Sequence, residues 1–236
     1  MDSQRDEGKP DKMEIVFIPS PADAFVDSVF PQWPIDKEIF TSADLLDLEN
    51  DEQGGISAEE LPRWKAFLSR ITVLPNPATF VLGDIAWAAS SVDALFHINA
   101  EEASRAPVGE RPDRVAALAT HLLEQRSFYP LYPAAPPDVP GGGVPLELPQ
   151  VWHAGMSCAP DVLISPTRVG KPCVRVLGGT VVINPGALSR NKSFARVCVF
   201  PRAKTTQKPG DADFDPYVPN NAPSRVRVDV DKLNLT

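Results

Sequence analysis

Histidine and cysteine are scarce in this sequence, with three of each in 236 residues. The histidines are His97, His121 and His153, and none stands in a ligand-spaced pair. A two-metal phosphoesterase needs a convergent set of His, Asp and Asn ligands at strand ends, so this chemistry has no equipment here. Cys158, Cys173 and Cys198 are too few and too scattered for a disulfide framework or a zinc site. Two of them fall in predicted strands, where a free thiol acts as a small hydrophobe, and a reducing compartment is expected. No apolar run reaches 18 residues, so no transmembrane helix is expected. The opening stretch MDSQRDEGKPDK has no apolar core behind its charges and does not read as a secretory signal. No Ser-His-Asp order has the context of a nucleophile elbow. Gly141-Gly142-Gly143 lacks both the GK[ST] ending and the strand-to-helix setting of a phosphate loop. The expected catalytic, cofactor-binding and metal residues are therefore none.

Proline, by contrast, is abundant. Its 26 copies are about twice the usual share, which predicts many loops and short helices. A hydrophobic content of 43% is ordinary for a globular chain of this length, which can bury one sizeable core or two small ones. Charge is divided unevenly. Residues 1–150 carry 11 Lys and Arg against 25 Asp and Glu, whereas residues 151–236 carry 12 against 6. A basic half can mark a face for nucleic acid or an acidic partner, or simply a solvated rim of strand ends.

The stretch Pro160–Phe200 organises the rest. It holds three β-branched apolar runs: Val162–Ile164, Val174–Ile183 broken by Gly178-Gly179, and Ala195–Phe200. The first two are nearly continuous, as expected of strands buried on both faces. Their corners are Ser165-Pro166 and Asn184-Pro185-Gly186, where proline fixes φ and glycine accepts a positive one. Further strands are predicted at Glu14–Ile18 and Arg225–Val230. A hairpin is predicted from Thr79–Leu82 and Ile85–Ala89 around Gly83-Asp84.

Helical patterns cover Lys37–Leu48, Ala58–Ile71, a short segment in Ser91–Asn99 capped by Asp93, and Asp113–Arg126. The last has an apolar stripe of Val115, Leu118, Ala119, Leu122 and Leu123. His97 and His121 lie on or beside apolar faces and read as structural. Phe128, Tyr129 and Tyr132, among prolines, read as core packing at the helix exit, with a docking face as the alternative. Residues 1–12 are predicted to be disordered, and 134–149 to be a Pro/Gly-rich loop. The loop Glu49–Glu60 places Gly54 and Glu60 where a calcium loop would. Glu49 in first position, neutral Gln53 and the lack of a second loop argue for an acidic linker instead.

Four ordered blocks then carry a resemblance. They are IVFIPSPADAF (Ile15–Phe25) followed by VFPQWP (Val29–Pro34); DALFHINAEE (Asp93–Glu102); LLEQRSFYPLYP (Leu122–Pro133); and the series PDVLI, VLG, NPG, FAR within Pro160–Arg196. Together they resemble the C-terminal part of the B subunits of DNA polymerase alpha, over roughly residues 13–200. The resemblance implies an α/β fold: the C-terminal portion of a calcineurin-like phosphoesterase β-sandwich with flanking helices. In active members of that fold a Gly-Asn-His-Asp/Glu motif and later histidines hold metals. Here Pro19–Asp23 stands at the first place, with only Asp23 able to ligate, and Ser165-Pro166-Thr167 and Asn184-Pro185-Gly186 at later ones.

The resemblance further implies a partial phosphoesterase-like domain over 13–236, with a helical insertion at 36–72. The implied role is that of a non-catalytic scaffold in the nucleus, without cofactors. Its partners would be the C-terminal zinc domain of the catalytic subunit and, through the complex, primase, with DNA contacted at most indirectly and no membrane. The alternatives are a direct DNA-binding module, or the B subunit of another replicative polymerase. A chain resembling only the end of its family is expected to expose apolar strand edges and to aggregate when made alone.

Overall fold

The computed structural model describes residues 13–23, 26–36, 61–103, 113–136, 143–201 and 225–232. The expectations for 1–12, for the helix Lys37–Leu48 and for the Glu49–Glu60 loop lie outside these residues. The chain divides into two units, Met1–Pro19 with Trp33–Pro75, and Ser20–Gln32 with Asn76–Thr236.

In the first unit, β1 (Ile15–Phe17) pairs in parallel with β2 (Ile71–Val73), and α1 (Leu61–Leu68) precedes β2. The helical pattern predicted through Ile71 therefore ends three residues early. Ile71-Thr72-Val73 is a β-branched triplet whose stiff side chains favour the pleated backbone, and it joins β1 instead. The Leu74 amide extends the pairing by donating to the Phe17 carbonyl at 2.8 Å.

The second unit is built on a five-stranded sheet of order β3-β4-β5-β7-β6. Its strands are β3 (Ala78–Leu82), β4 (Ile85–Ala89), β5 (Val162–Ile164), β6 (Cys173–Leu177) and β7 (Thr180–Asn184). The three inner strands are mutually parallel, and each outer strand returns antiparallel through a hairpin. Both hairpins use two-residue turns that need positive φ. Gly83 takes +67° in the predicted β3–β4 turn, and Gly178 and Gly179 take +55° and +94° in the β6–β7 turn.

Every residue of β7 is buried, as a parallel strand covered on both faces should be. The expectation that all of Val174–Ile183 is doubly buried fails in its first half. The Gly-Gly turn folds that half outward as the edge strand β6, where Val176 is 58% exposed. The opposite edge is also open, with Val81 and Leu82 exposed on β3.

Side-chain alternation assigns each face of the sheet to a different layer. Ala88, Leu163 and Val182 point to one face, beneath α2 (Ala94–Glu101) and α3 (Arg114–Glu124), and pack with Leu95, Ile98, Leu118 and Leu122. Trp87, Val162, Val181 and Ile183 point to the other. There they meet Ala195, Val197, Val226 and Val228 of an antiparallel ribbon, β8 (Ser193–Val199) with β9 (Val226–Lys232). Full burial of a single Leu or Ile in these layers contributes about 2 kcal/mol. The result is a mixed α/β sandwich of helices, sheet and ribbon.

Each of the two helices begins behind an aspartate cap, expected at Asp93, whereas Asp113 stands just outside the helix rather than in its first position. Asp93 Oδ1 accepts from the Phe96 amide and Asp113 Oδ1 from the Ala116 amide, each at 3.1 Å. Each such cap contributes about 1 kcal/mol. Phe128 and Tyr129 pack into the core as expected, whereas Tyr132 is exposed.

Glu102, just past α2, ties that helix to α3. Its carboxylate accepts from His121 Nε2 at 3.0 Å and pairs with Arg114. The hydrogen bond from His121, aided by Arg114 against the opposing effect of burial, holds the Glu102 carboxyl below its ordinary value. A carboxyl depressed in the folded state stabilises above its unfolded pKa, and that contribution disappears as pH falls through the folded one. Glu102→Gln is expected to lower stability at neutral pH by under about 1 kcal/mol, since its partners are half exposed. The gap from the unaltered chain should close below about pH 4, as read by thermal melts across pH.

Candidate functional site at the strand ends

In open α/β sheets, ligands bind outside the carboxyl ends of the parallel strands. Three short segments stand there: Ser90 after β4, Ser165-Pro166-Thr167 after β5, and Asn184-Pro185-Gly186 at the end of β7. Their polar groups are turned inward on one another. Asn184 is 1% exposed. Its Oδ1 accepts from the Thr167 amide at 3.1 Å and the Gly186 amide at 3.0 Å. Its Nδ2 donates to the carbonyls of Thr167 and Lys171, at 3.3 and 3.5 Å. The Ser165 amide donates to the Ile183 carbonyl, and Thr167 Oγ1 accepts from the Val169 amide, both at 3.0 Å.

At the end of β4 a second buried amide plays the same part. Asn76 Nδ2 donates to Gln32 Oε1 at 3.0 Å and to Ser91 Oγ at 2.8 Å. Its Oδ1 accepts from Ser90 Oγ and the Ser91 amide, both at 3.2 Å. The main chains of Asn76 and Gln32 are hydrogen-bonded in both directions.

These segments do not fit a metal pair. Their donors are amides and hydroxyls, committed to neighbouring backbone and side-chain partners, and the one carboxylate that reaches them, Asp93, accepts from the Arg168 amide at 2.8 Å and caps α2. Among the described residues no three His, Cys, Asp or Glu side chains stand together as a metal requires. Asp23, the one possible ligand in the first loop, accepts from the Ser20 amide at 2.8 Å and closes a tight turn. The three histidines lie on separate elements. Buried His97, on α2, meets the Tyr129 hydroxyl through Nδ1 at 3.2 Å. His121 serves Glu102, and His153 lies in the 3-10 helix Leu148–Ala154 beside exposed Trp152. Burial pushes the Cys173 thiol and the Tyr129 phenol up, so neither is primed as a nucleophile.

The basic half of the chain is partly neutralised. Arg168 pairs with Asp93, Arg175 with Asp113, Arg196 with Asp231, Arg225 with Asp84 and Arg227 with Asp229. Burial acts to raise the Asp113 carboxyl, but the Ala116 amide and Arg175 outweigh it and bring the group below its ordinary value.

Sequence reasoning named Asn184 and Ser165 as corners, and the structure joins them in one network. It missed Asn76 and Gln32. The Asn76-Pro77 dipeptide, a turn signal just before β3, was the available clue.

Comparison with known proteins gives a consistent family. The family model of the DNA polymerase alpha/epsilon B subunit matches residues 3–168. The B subunit of DNA polymerase alpha from Rattus norvegicus is 28% identical over 200 residues, covering 83% of this chain and 28% of its own length. The protein of the same name from Schizosaccharomyces pombe is 29% identical over 143 residues, covering 56% of this chain and 23% of its own length. That of Drosophila melanogaster is 32% identical over 142 residues, covering 59% and 22%. The chain thus spans about a quarter of the length of the curated relatives it matches. With most of its length covered by that model, this chain belongs to the family of DNA polymerase alpha/epsilon B subunits.

Proposed function

We propose that the chain works as a non-catalytic accessory subunit of DNA polymerase alpha, in the nucleus, on a calcineurin-like phosphoesterase scaffold whose metal ligands have been replaced. Its partner in this reading is the C-terminal zinc domain of the catalytic subunit, and through it primase, and its place on DNA is set by the polymerase. The observation that supports the reading most directly is the closed strand end. Asn184 and Asn76 commit every amide valence to neighbouring backbone and side chains, which stiffens the sheet and turns these amides away from any metal or attacking water. A stiff sheet with proline-fixed corners loses little freedom when a partner docks, which favours a platform role. The 36–72 region is read as an insertion into this scaffold.

Co-expression of the full chain with the C-terminal domain of the catalytic subunit of polymerase alpha, and in parallel with that of polymerase epsilon, tests the assignment. A stable complex by gel filtration with the alpha domain alone is the expected outcome. Preference for the epsilon domain would move the chain to another polymerase. Turnover of a phosphate ester by the purified chain with added divalent metal would defeat the non-catalytic reading.

A further inference from the structure

From Val162 to Gly210 the sequence runs 49 residues without an Asp or Glu, while nine Lys and Arg occur in it. The carboxylates that pair with Arg168, Arg175 and Arg196 come from outside this run. Lys171, Arg190 and Lys192 have no ion pair among the described residues, and all three are exposed. The fold brings them together. A Cβ placed on Gly186 would meet Ser193 Oγ at 2.6 Å, Pro172 Cγ at 2.8 Å and Asn191 Cβ at 3.3 Å, so the loops after β5 and β7 touch at this point. Lys171 adjoins Pro172 on one wall. Arg190 and Lys192 flank Asn191 on the other. Lys232, also exposed and without an ion pair among the described residues, joins them as the cross-strand partner of Ser193. The neighbouring carboxylate, Asp231, is taken by Arg196 at 3.1 Å. Asn184 fixes the base of the group by donating to the Lys171 carbonyl.

We infer that Lys171, Arg190, Lys192 and Lys232 form a docking surface for the phosphate backbone of duplex nucleic acid. Three cations on adjoining loops and one at the end of β9, without an ion pair among the described residues, attract a polyanion through counterion release, which needs no base contact. The two loops, 165–172 and 185–193, contain no aromatic residue on which unpaired bases could stack, so a single strand gains nothing extra here. An acidic protein would need apolar anchors at the centre of its interface, and the exposed Leu188 is the one large apolar side chain these loops offer. The surface is an auxiliary, sequence-independent contact, additional to the proposed binding of the catalytic subunit.

Fluorescence anisotropy of the full chain with a labelled DNA duplex of arbitrary sequence, read across salt, tests the inference. Four phosphate contacts give a slope of log affinity on log salt of about −3.6, or roughly a hundredfold loss between 50 and 200 mM. Single neutral substitutions (Lys171→Gln, Arg190→Gln, Lys192→Gln, Lys232→Gln) should each reduce the slope by about 0.9, and all four together should abolish it. Lys65→Gln on α1, the same charge change elsewhere, should leave the slope unaltered. The proposal fails if the fourfold variant keeps the slope, or if Lys65→Gln lowers it equally. It also fails if polyglutamate binds as tightly as the duplex at equal charge, which would assign the surface to an acidic protein. The substituted side chains are exposed, so unchanged melting should accompany every variant, and the single variants carry the test if the fourfold one melts low.

Discussion

Asn184→Ala is expected to destabilise the chain by about 3 kcal/mol, or roughly 6 to 12 °C in melting temperature for a chain of this size. The substitution strands two backbone N–H groups, of Thr167 and Gly186, and two carbonyls, of Thr167 and Lys171, at a place buried from water. Each such buried orphan costs about 1 to 3 kcal/mol when its partner is removed, and water entering the vacated space offsets part of the sum. The sign of the effect also tests function. Side chains kept for chemistry are commonly neutral or stabilising to remove, because an active site trades stability for function. A side chain kept to close a scaffold should be costly to lose. Millimolar Mn²⁺ should leave the melting of both the unaltered chain and the variant where it was. A variant that melts at or above the unaltered chain, or a metal-dependent rise in melting, would show that the strand end is still a ligand site.

Local signals in the sequence carried much of this fold. Asp93 stands before an apolar-periodic run, and a side-chain acceptor there can do little except cap. Gly83-Asp84 between two β-rich runs left few options other than a hairpin. The stripe on α3 needed an apolar sheet face, and the run Val162–Ile164 supplied one. Failures came where a choice depended on partners far away in sequence. Ile71–Val73 fits both the end of a helix and a strand, and only β1, more than 50 residues earlier, decides between them. Val174–Leu177 and Thr180–Ile183 look alike in composition. Pairing order alone makes one an edge and the other the centre. Of the strand-end site, the Ser165-Pro166 and Asn184-Pro185-Gly186 corners were legible as turns. That Asn184 and Asn76 would close the strand ends was not legible, because an amide's role depends on which backbone groups the fold leaves unpaired nearby.

Gly186→Ala should be nearly as damaging, at about 3 kcal/mol or more, and for a different reason. Gly186 sits at φ +74°, where an L side chain costs about 1 to 2 kcal/mol. Gly178 shares this burden at φ +55°, but a Cβ there meets nothing within 4 Å. At Gly186 the new atom would press on Ser193 Oγ, the Pro172 ring and Asn191. Ser193 cannot rotate aside without giving up its hydrogen bond to the Pro185 carbonyl at 2.8 Å, and a proline ring has little room to yield. Overpacking of this kind adds about 1 to 3 kcal/mol. Gly178→Ala therefore measures the conformational cost by itself, and the difference between the two variants isolates the steric one. The steric part has a functional reading too. Relief of the clash must push the loop of Lys171 away from that of Arg190 and Lys192, spreading the four cations. Gly186→Ala should thus flatten the salt dependence of duplex binding at temperatures where it is still folded, while Gly178→Ala leaves it intact. Equal melting temperatures for the two variants would mean that the loops do not meet at Gly186, and the cationic surface would lose its geometric basis with them.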